Sequence, residues 1–185
     1  MERIQGASSN LTTNAISNSG NVEMFYLMGL RINGKREVPD FYTFLLEQNG
    51  VLHPLVADGQ IVLFRKVELY REALQLAGID VEFKAPPSEQ VSYLLDVAAV
   101  LYLLMHESID EEKRIPNLID YFARALTTMG IPLPPVFEIL SELGTSTDED
   151  PFFGTLMNRD NFNRERCIDG IRWCLGTLLS VATIL

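Results

Sequence analysis

The chain has 185 residues, of which 47% are hydrophobic and 22% charged, so it can bury a sizeable core and does not belong to the disordered class. Its formal net charge of −10 repels nucleic-acid phosphates and anionic lipid, which makes both poor partners. No apolar run reaches the roughly 18 residues of a membrane-spanning helix. Two cysteines and the lack of a secretory signal pattern lead us to expect a reducing cytoplasm.

The first elements predict a hairpin and a short helix. Residues 22–32 favour a strand that ends at Asn33-Gly34, a dipeptide typical of tight hairpin turns. Residues 35–38 would be the returning strand. Residues 39–48 begin with a proline and carry apolar residues at helical spacing, so we expect a short helix that Asn49-Gly50 ends.

A second hairpin is predicted where residues 51–57 and 60–65 flank Asp58-Gly59. Because Pro54 has no N–H to donate to a ladder, its strand should lie at the edge of a sheet. Residues 66–77 then have the spacing of a helix, which a glycine ends.

These elements define the predicted domain organisation. Apolar and acidic residues alternate over residues 79–83, as in a strand. This strand completes a small N-terminal α+β unit over residues 22–84, with about four or five strands and two helices. Residues 1–21 are rich in Ser, Asn, Thr and Gly and predict a disordered tail. Residues 85–88 contain two prolines and predict a linker. A helical bundle follows over residues 89–185.

The stretch from residue 88 to residue 107 is predicted to be one helix at the centre of this bundle. Nine consecutive residues, 97–105, are apolar. A helix that is apolar nearly all round is enclosed by other elements, so we expect this segment to be buried on every side.

Further helices bring the predicted bundle to about four or five members. Residues 116–129 have one apolar stripe, start with a proline at the first helical position and end before a glycine. Residues 135–143 form the next helix, and a loop follows to residue 150. A brief helix is predicted at residues 151–158. The last helix runs from about residue 160 to residue 185, with apolar residues three and four apart throughout.

The histidines are the first candidates for chemistry. His53 lies in the predicted edge strand and His106 at the end of the central helix, and neither has a second ligand at metal-binding spacing. His106 and Asp110 are four residues apart, but the sequence between them reads as a helix break. We therefore interpret both histidines as structural.

Asp96 is the only charge in the apolar centre of the predicted central helix. If it is buried, it must be paired or protonated, and Arg124 and Arg172 on neighbouring helices are the candidate partners. We expect instead that Asp96 lies on a wet stripe near the helix start, where an acid suits the helix dipole.

The acidic stretch of α-helix and loop near residue 140 is a candidate contact for a basic partner, and consists of Glu138, Glu142, Asp148, Glu149 and Asp150. It lacks the ligand pattern of a calcium loop, and no metal or cofactor is expected. There is no phosphate loop, dinucleotide fingerprint or nucleophile elbow. Cys167 and Cys174 fall on or beside an apolar seam, as inert thiols do.

Three functional hypotheses follow, and none rests on a specific motif. The first is a non-catalytic cytoplasmic protein that binds another protein, with a homodimer as the expected contact. The second is an enzyme or small-ligand sensor with a pocket between the two halves, formed by residues among Asp96, His106, Arg124 and Arg172. The third is an acidic partner that neutralises a basic protein.

Overall fold

The computed structural model describes residues 24–80, 87, 90–106, 110, 112–149 and 163–185. Within these ranges the chain is a mixed α+β protein, in which a sheet of several strands is followed by helices. The predicted tail, most of the predicted linker, most of the strand at residues 79–83 and the brief helix at residues 151–158 lie outside the described residues.

The described elements are mainly strands in the first half of the chain and mainly helices in the second half. The strands are β1 (Met24–Arg31), β2 (Phe41–Gln48), β3 (Val51–Pro54), β4 (Val56–Ala57), β5 (Gln60–Leu63), β6 (Tyr93–Asp96) and β7 (Thr183–Ile184). The helices are α1 (Tyr70–Leu76), which follows a 3₁₀ turn at Val67–Leu69, α2 (Val97–His106), α3 (Arg114–Thr128), α4 (Val136–Glu149) and α5 (Arg164–Val181).

The main sheet has four strands in the order β3-β2-β1-β6. The neighbours β3, β2 and β1 are antiparallel, whereas β6 is parallel to β1. A smaller sheet has the order β4-β5-β7, with β7 parallel to β5. A bridge between Tyr42 and Phe64 joins the two sheets.

Two tight turns connect the antiparallel strands. Asp58 and Gly59 join β4 to β5 with φ angles of 50° and 76°, so the predicted second hairpin is confirmed. Asn49 and Gly50 join β2 to β3 with φ angles of 52° and 74°. Positive φ at both central residues defines the type I′ turn of a two-residue hairpin. The edge position predicted for Pro54 is also confirmed, because β3 is the outermost strand.

The helix predicted at residues 39–48 is wrong, because this segment is strand β2. Six consecutive residues of β2, from Phe41 to Leu46, are buried, since both faces of the sheet are covered. A strand buried on both faces loses the polar–apolar alternation, and its apolar run imitates helical spacing. The Asn49-Gly50 dipeptide therefore marks a hairpin turn here and not a helix end.

The single helix predicted from residue 88 to residue 107 is also wrong. Tyr93–Asp96 is strand β6 in the main sheet, and the helix begins only at Val97. Asp96 accepts a hydrogen bond from the backbone N–H of Ala99 at 3.0 Å, so it is the N-cap of α2. The cap ends the strand and starts the helix at one residue.

Two later boundaries differ from the sequence prediction. Helix α4 continues through Gly144 to Glu149, where a loop was expected, because Gly144 packs against Ile119 of α3. Helix α5 ends at Val181, and residues 183–184 pair with β5 instead of extending the helix.

Two other helix ends follow the predicted signals, but the start of α3 does not, because this helix begins at Arg114 and residue 116 is its third position. Gly78 and Gly130 both have φ of 70° just past the ends of α1 and α3, where glycine was predicted to stop each helix. Buried Asp110 caps α3, since its two carboxylate oxygens accept from the backbone N–H groups of Arg114 and Ile115 at 2.9 and 2.8 Å.

The main sheet separates two hydrophobic clusters. Along β1, Tyr26, Met28 and Leu30 face the cluster that contains the buried residues of α2, α3, α4 and α5. Phe25 and Leu27 face the opposite cluster, which contains α1. The first cluster therefore draws residues from both sides of the predicted linker.

The prediction that α2 is buried on every side is wrong. Val97, Val100, Leu103 and Leu104 are buried on its inner face. Tyr102 and Met105 keep 55% and 48% of their surface exposed. The helix packs against α3, α5 and β1, and these neighbours cover its inner side.

Two glycines give opposite predictions for stability. A Cβ atom at Gly29 in β1 would lie 2.5 Å from Pro39 Cγ and 3.1 Å from Val91 Cγ1. We expect Gly29→Ala to lower the free energy of unfolding by about 1–3 kcal/mol, because the packed neighbours must move. A Cβ atom at Gly176 in α5 meets nothing within 4 Å. Gly176→Ala should raise the free energy of unfolding by about 0.5–1 kcal/mol.

Urea denaturation followed by circular dichroism measures both changes. Equal effects of the two substitutions would contradict the packing described for β1.

Candidate functional site

Asp96 lies at the junction of the sheet and the helices. It is 4% exposed, and it is the direct neighbour of Arg31 in the parallel ladder between β1 and β6. The Arg31 guanidinium donates to Asp96 Oδ2, while Asp96 Oδ1 caps α2. This hydrogen bond to Asp96 raises the pKa of Arg31, against the opposing effect of burial.

The prediction that Asp96 lies on a wet stripe is therefore wrong, because the residue is buried. The prediction that a buried Asp96 would pair with Arg124 or Arg172 is also wrong. Its partner is Arg31, which no helical argument could identify, because strand pairing brings the two residues together. Both oxygens of Asp96 are committed to structural contacts. We interpret this arrangement as a structural ion pair. One oxygen of Asp96 caps α2 and the other binds Arg31, so each carboxylate oxygen already has a protein partner.

His106 lies at the other end of α2. It is exposed, its ring stacks on Tyr102 with centroids 4.1 Å apart, and Nδ1 is 3.0 Å from the Tyr102 carbonyl oxygen. His106 is ten positions after Asp96 along α2, which corresponds to about 15 Å along the helix axis.

Arg124 and Arg172 lie on the surfaces of α3 and α5. Arg124 Nε donates to Asp120 Oδ2 at 2.8 Å, and its NH1 group donates to the Leu52 carbonyl oxygen at 3.3 Å. Arg172 donates to Asp169 Oδ1 at 3.5 Å. Among the contacts of the described residues, none joins two of the four residues Asp96, His106, Arg124 and Arg172.

Helix α4 carries most of the predicted acidic stretch. Glu138 and Glu142 are exposed one turn apart, and Asp148 and Glu149 are in the last turn of the helix. Asp150 lies outside the described residues. The last turn has no basic residue, although a cation would suit the negative end of the helix dipole.

The two cysteines are buried in α5 and form no disulfide. Burial raises the pKa of both the Cys167 and the Cys174 thiols to about 11. Thiols that stay protonated at neutral pH are poor nucleophiles, so neither is suited to catalysis.

A cavity of about 270 Å³ lies where the β2–β3 hairpin meets α3. Its lining is Leu45, Gly50, Val51, Leu52, Pro54, Asp120, Tyr121 and Arg124. Of the four residues proposed from sequence for a pocket between the halves, Arg124 is the one that lines this cavity. A concave apolar surface with a few polar groups is the usual form of a ligand site.

Two observations concern the described part of the chain only. It contains no group of three or more His, Cys, Asp or Glu residues placed to hold a metal ion. It also contains no helix with the length and apolar character needed to cross a bilayer.

The chain matches no protein-family model, no curated protein and no solved structure.

Sequence reasoning missed Arg31 and Tyr121. Arg31 ends an apolar strand, and only knowledge of the β1–β6 pairing identifies its role. Tyr121 belongs to the apolar stripe of α3, three residues after Leu118, so its hydroxyl was hidden among core positions. A buried tyrosine in a predicted core stripe is a signal, because its hydroxyl needs a partner.

The ion pair at Asp96 gives a stability prediction. Asp96→Asn keeps an oxygen for the α2 cap but leaves Arg31, whose side chain is 25% exposed, without its counter-charge. We expect the free energy of unfolding to fall by about 3 kcal/mol, near the lower end for a broken buried pair.

Asp169→Asn is the matched control, because it removes the same charge from the exposed pair with Arg172. Its free energy of unfolding should change by less than about 1 kcal/mol. Urea denaturation compares the two variants, and similar losses would show that the Arg31–Asp96 pair has no special role.

Proposed function

We propose that this protein is a non-catalytic cytoplasmic protein that acts by binding protein, and that a second copy of itself is its main contact. The single observation that carries this proposal is the uncharged, partly exposed outer face of α2. That face consists of Ala98, Leu101, Tyr102 and Met105, called the α2 outer face below.

The α2 outer face has the composition of an interface core. Tyr102 and Met105 are exposed three residues apart, hence on adjacent turns, and Ala98 and Leu101 are half-buried beside them. Tyrosine and methionine are enriched where proteins contact one another. A helix that presents them to solvent gains free energy when a partner covers them.

Charge favours a second copy as the partner. The chain carries a net charge of −10, so most surfaces of two copies repel each other. Residues 97–105 contain no Asp, Glu, Lys, Arg or His. In a two-fold dimer the same patch lies against itself, and an uncharged patch does so without opposing like charges.

The helices offer a rigid base for this face. Helix α3 packs against α4 and α5, and α2 packs against α3 and α5. These contacts support the proposal that residues 89–185 contain a helical bundle, with α2 at its margin.

A second candidate function is suggested by helix α4. Four acids and no base lie on it, and Glu138 and Glu142 are exposed. This favours a basic protein as a partner to be neutralised. Asp148, Glu149 and Asp150 belong to the same acidic stretch of the sequence.

The mass of the protein in solution tests the main proposal. We expect sedimentation equilibrium at about 0.15 M salt to give a dimer, twice the 20.8 kDa of the chain. Met105→Lys should raise the dissociation constant by roughly a hundredfold or more, because two buried lysines would face each other across the two-fold axis. Added salt should strengthen the wild-type dimer, because it screens the repulsion between two acidic chains.

Leu76→Lys is the matched control, since Leu76 is 45% exposed on α1, away from α2. It should leave the dimer intact. A wild-type monomer, or a dimer that Leu76→Lys disrupts and Met105→Lys does not, would rule out the α2 outer face as the contact.

A further inference from the structure

The cavity between the β2–β3 hairpin and α3 has apolar walls, and the ion pair of Arg124 and Asp120 is part of its lining. Leu45, Val51 and Leu52 supply the walls from the sheet. Helix α3 supplies the polar side, with Tyr121 and Arg124 one turn apart. The edge strand β3 is covered by α3 and also forms one wall of this cavity.

Arg124 has donors to spare at this cavity. Its Nε group donates to Asp120, and NH1 donates to the Leu52 carbonyl oxygen. A guanidinium has five N–H donors, so others stay available to an acceptor that enters from solvent. Because its side chain is 45% exposed, Arg124 can turn toward a ligand without breaking a buried contact.

Tyr121 also lines the cavity, but its hydroxyl oxygen is buried and presents almost no surface to it. The residue is 1% exposed, and within the described residues its hydroxyl has no hydrogen-bond partner. Burial raises the pKa of Tyr121, so the hydroxyl stays protonated and remains a donor. Because this hydroxyl has almost no accessible surface, Arg124 is the side-chain donor that a ligand in the cavity can reach.

The dimensions and chemistry of the cavity define what it can hold. Its volume of about 270 Å³ exceeds the roughly 150 Å³ of an engineered cavity that binds benzene, so one substituted aromatic ring fits. An anionic group matches Arg124, and an apolar body matches the walls. Asp120 and the acidic chain disfavour a second negative charge.

We infer that this cavity binds a small monocarboxylate with an apolar body about the size of benzoate, held at its carboxylate by Arg124. The site uses residues of the hairpin and α3 and none of the α2 outer face. It therefore does not depend on self-association, and either proposal can fail without the other.

Titration with sodium benzoate, followed by amide chemical shifts of the 185-residue chain, tests the site. We expect saturable shifts at Val51, Leu52 and the residues around Arg124, with a dissociation constant on the order of 1 mM or tighter. Benzyl alcohol, which lacks the charge, should bind at least about tenfold more weakly.

Two variants locate the carboxylate. Arg124→Gln should weaken benzoate binding by about tenfold or more, because it removes the charged donor. The matched control is Arg172→Gln, because Arg172 is exposed and paired with an acid on its own helix as Arg124 is. It should leave the dissociation constant unchanged.

The inference is overturned if no saturable shift develops by about 10 mM benzoate. It is also overturned if Arg124→Gln binds as the wild type does, or if Arg172→Gln loses as much affinity as Arg124→Gln. Unchanged circular dichroism of each variant establishes that the loss does not come from unfolding.

Discussion

The parallel pairing of β6 with β1 is the contact on which the arrangement of this protein depends. It places Arg31 beside Asp96, and Asp96 in turn holds the first turn of α2. One carboxylate therefore connects a strand, a neighbouring strand and a helix. Because both charges are removed from most of the solvent, their separation would leave an uncompensated buried charge.

The consequences of this pairing determine which surfaces remain for function. With β6 in the sheet, α2 leaves the sheet edge with one face turned inward against α3 and α5, and Tyr102 and Met105 stay exposed. Helix α3 covers the opposite edge at β3, where Arg124 reaches the Leu52 carbonyl oxygen. The uncovered helix face and the cavity at the sheet edge are thus both results of how the helices pack on four strands.

Local signals in the sequence predicted the parts of the fold that local chemistry determines. The turn at Asp58-Gly59 and the helix ends at Gly78 and Gly130 need positive φ, which these residues tolerate. Strand β2 was misread because burial on both faces removes the alternation that identifies a strand. The partner of Asp96 depends on a pairing between residues 65 positions apart, and no local pattern carries that information. For the candidate site, Arg124 was predicted and Tyr121 was not.

Native-state hydrogen exchange in increasing urea tests most directly whether the β1–β6 pairing holds the sheet and the helices together. If it does, the most protected amides of the β1–β6 ladder and of α2 and α3 should exchange with the same free energy and the same dependence on urea, through one cooperative opening. If the amides of α3 and α5 remain protected at urea concentrations where the β1–β6 ladder has already opened, the pairing does not have this role.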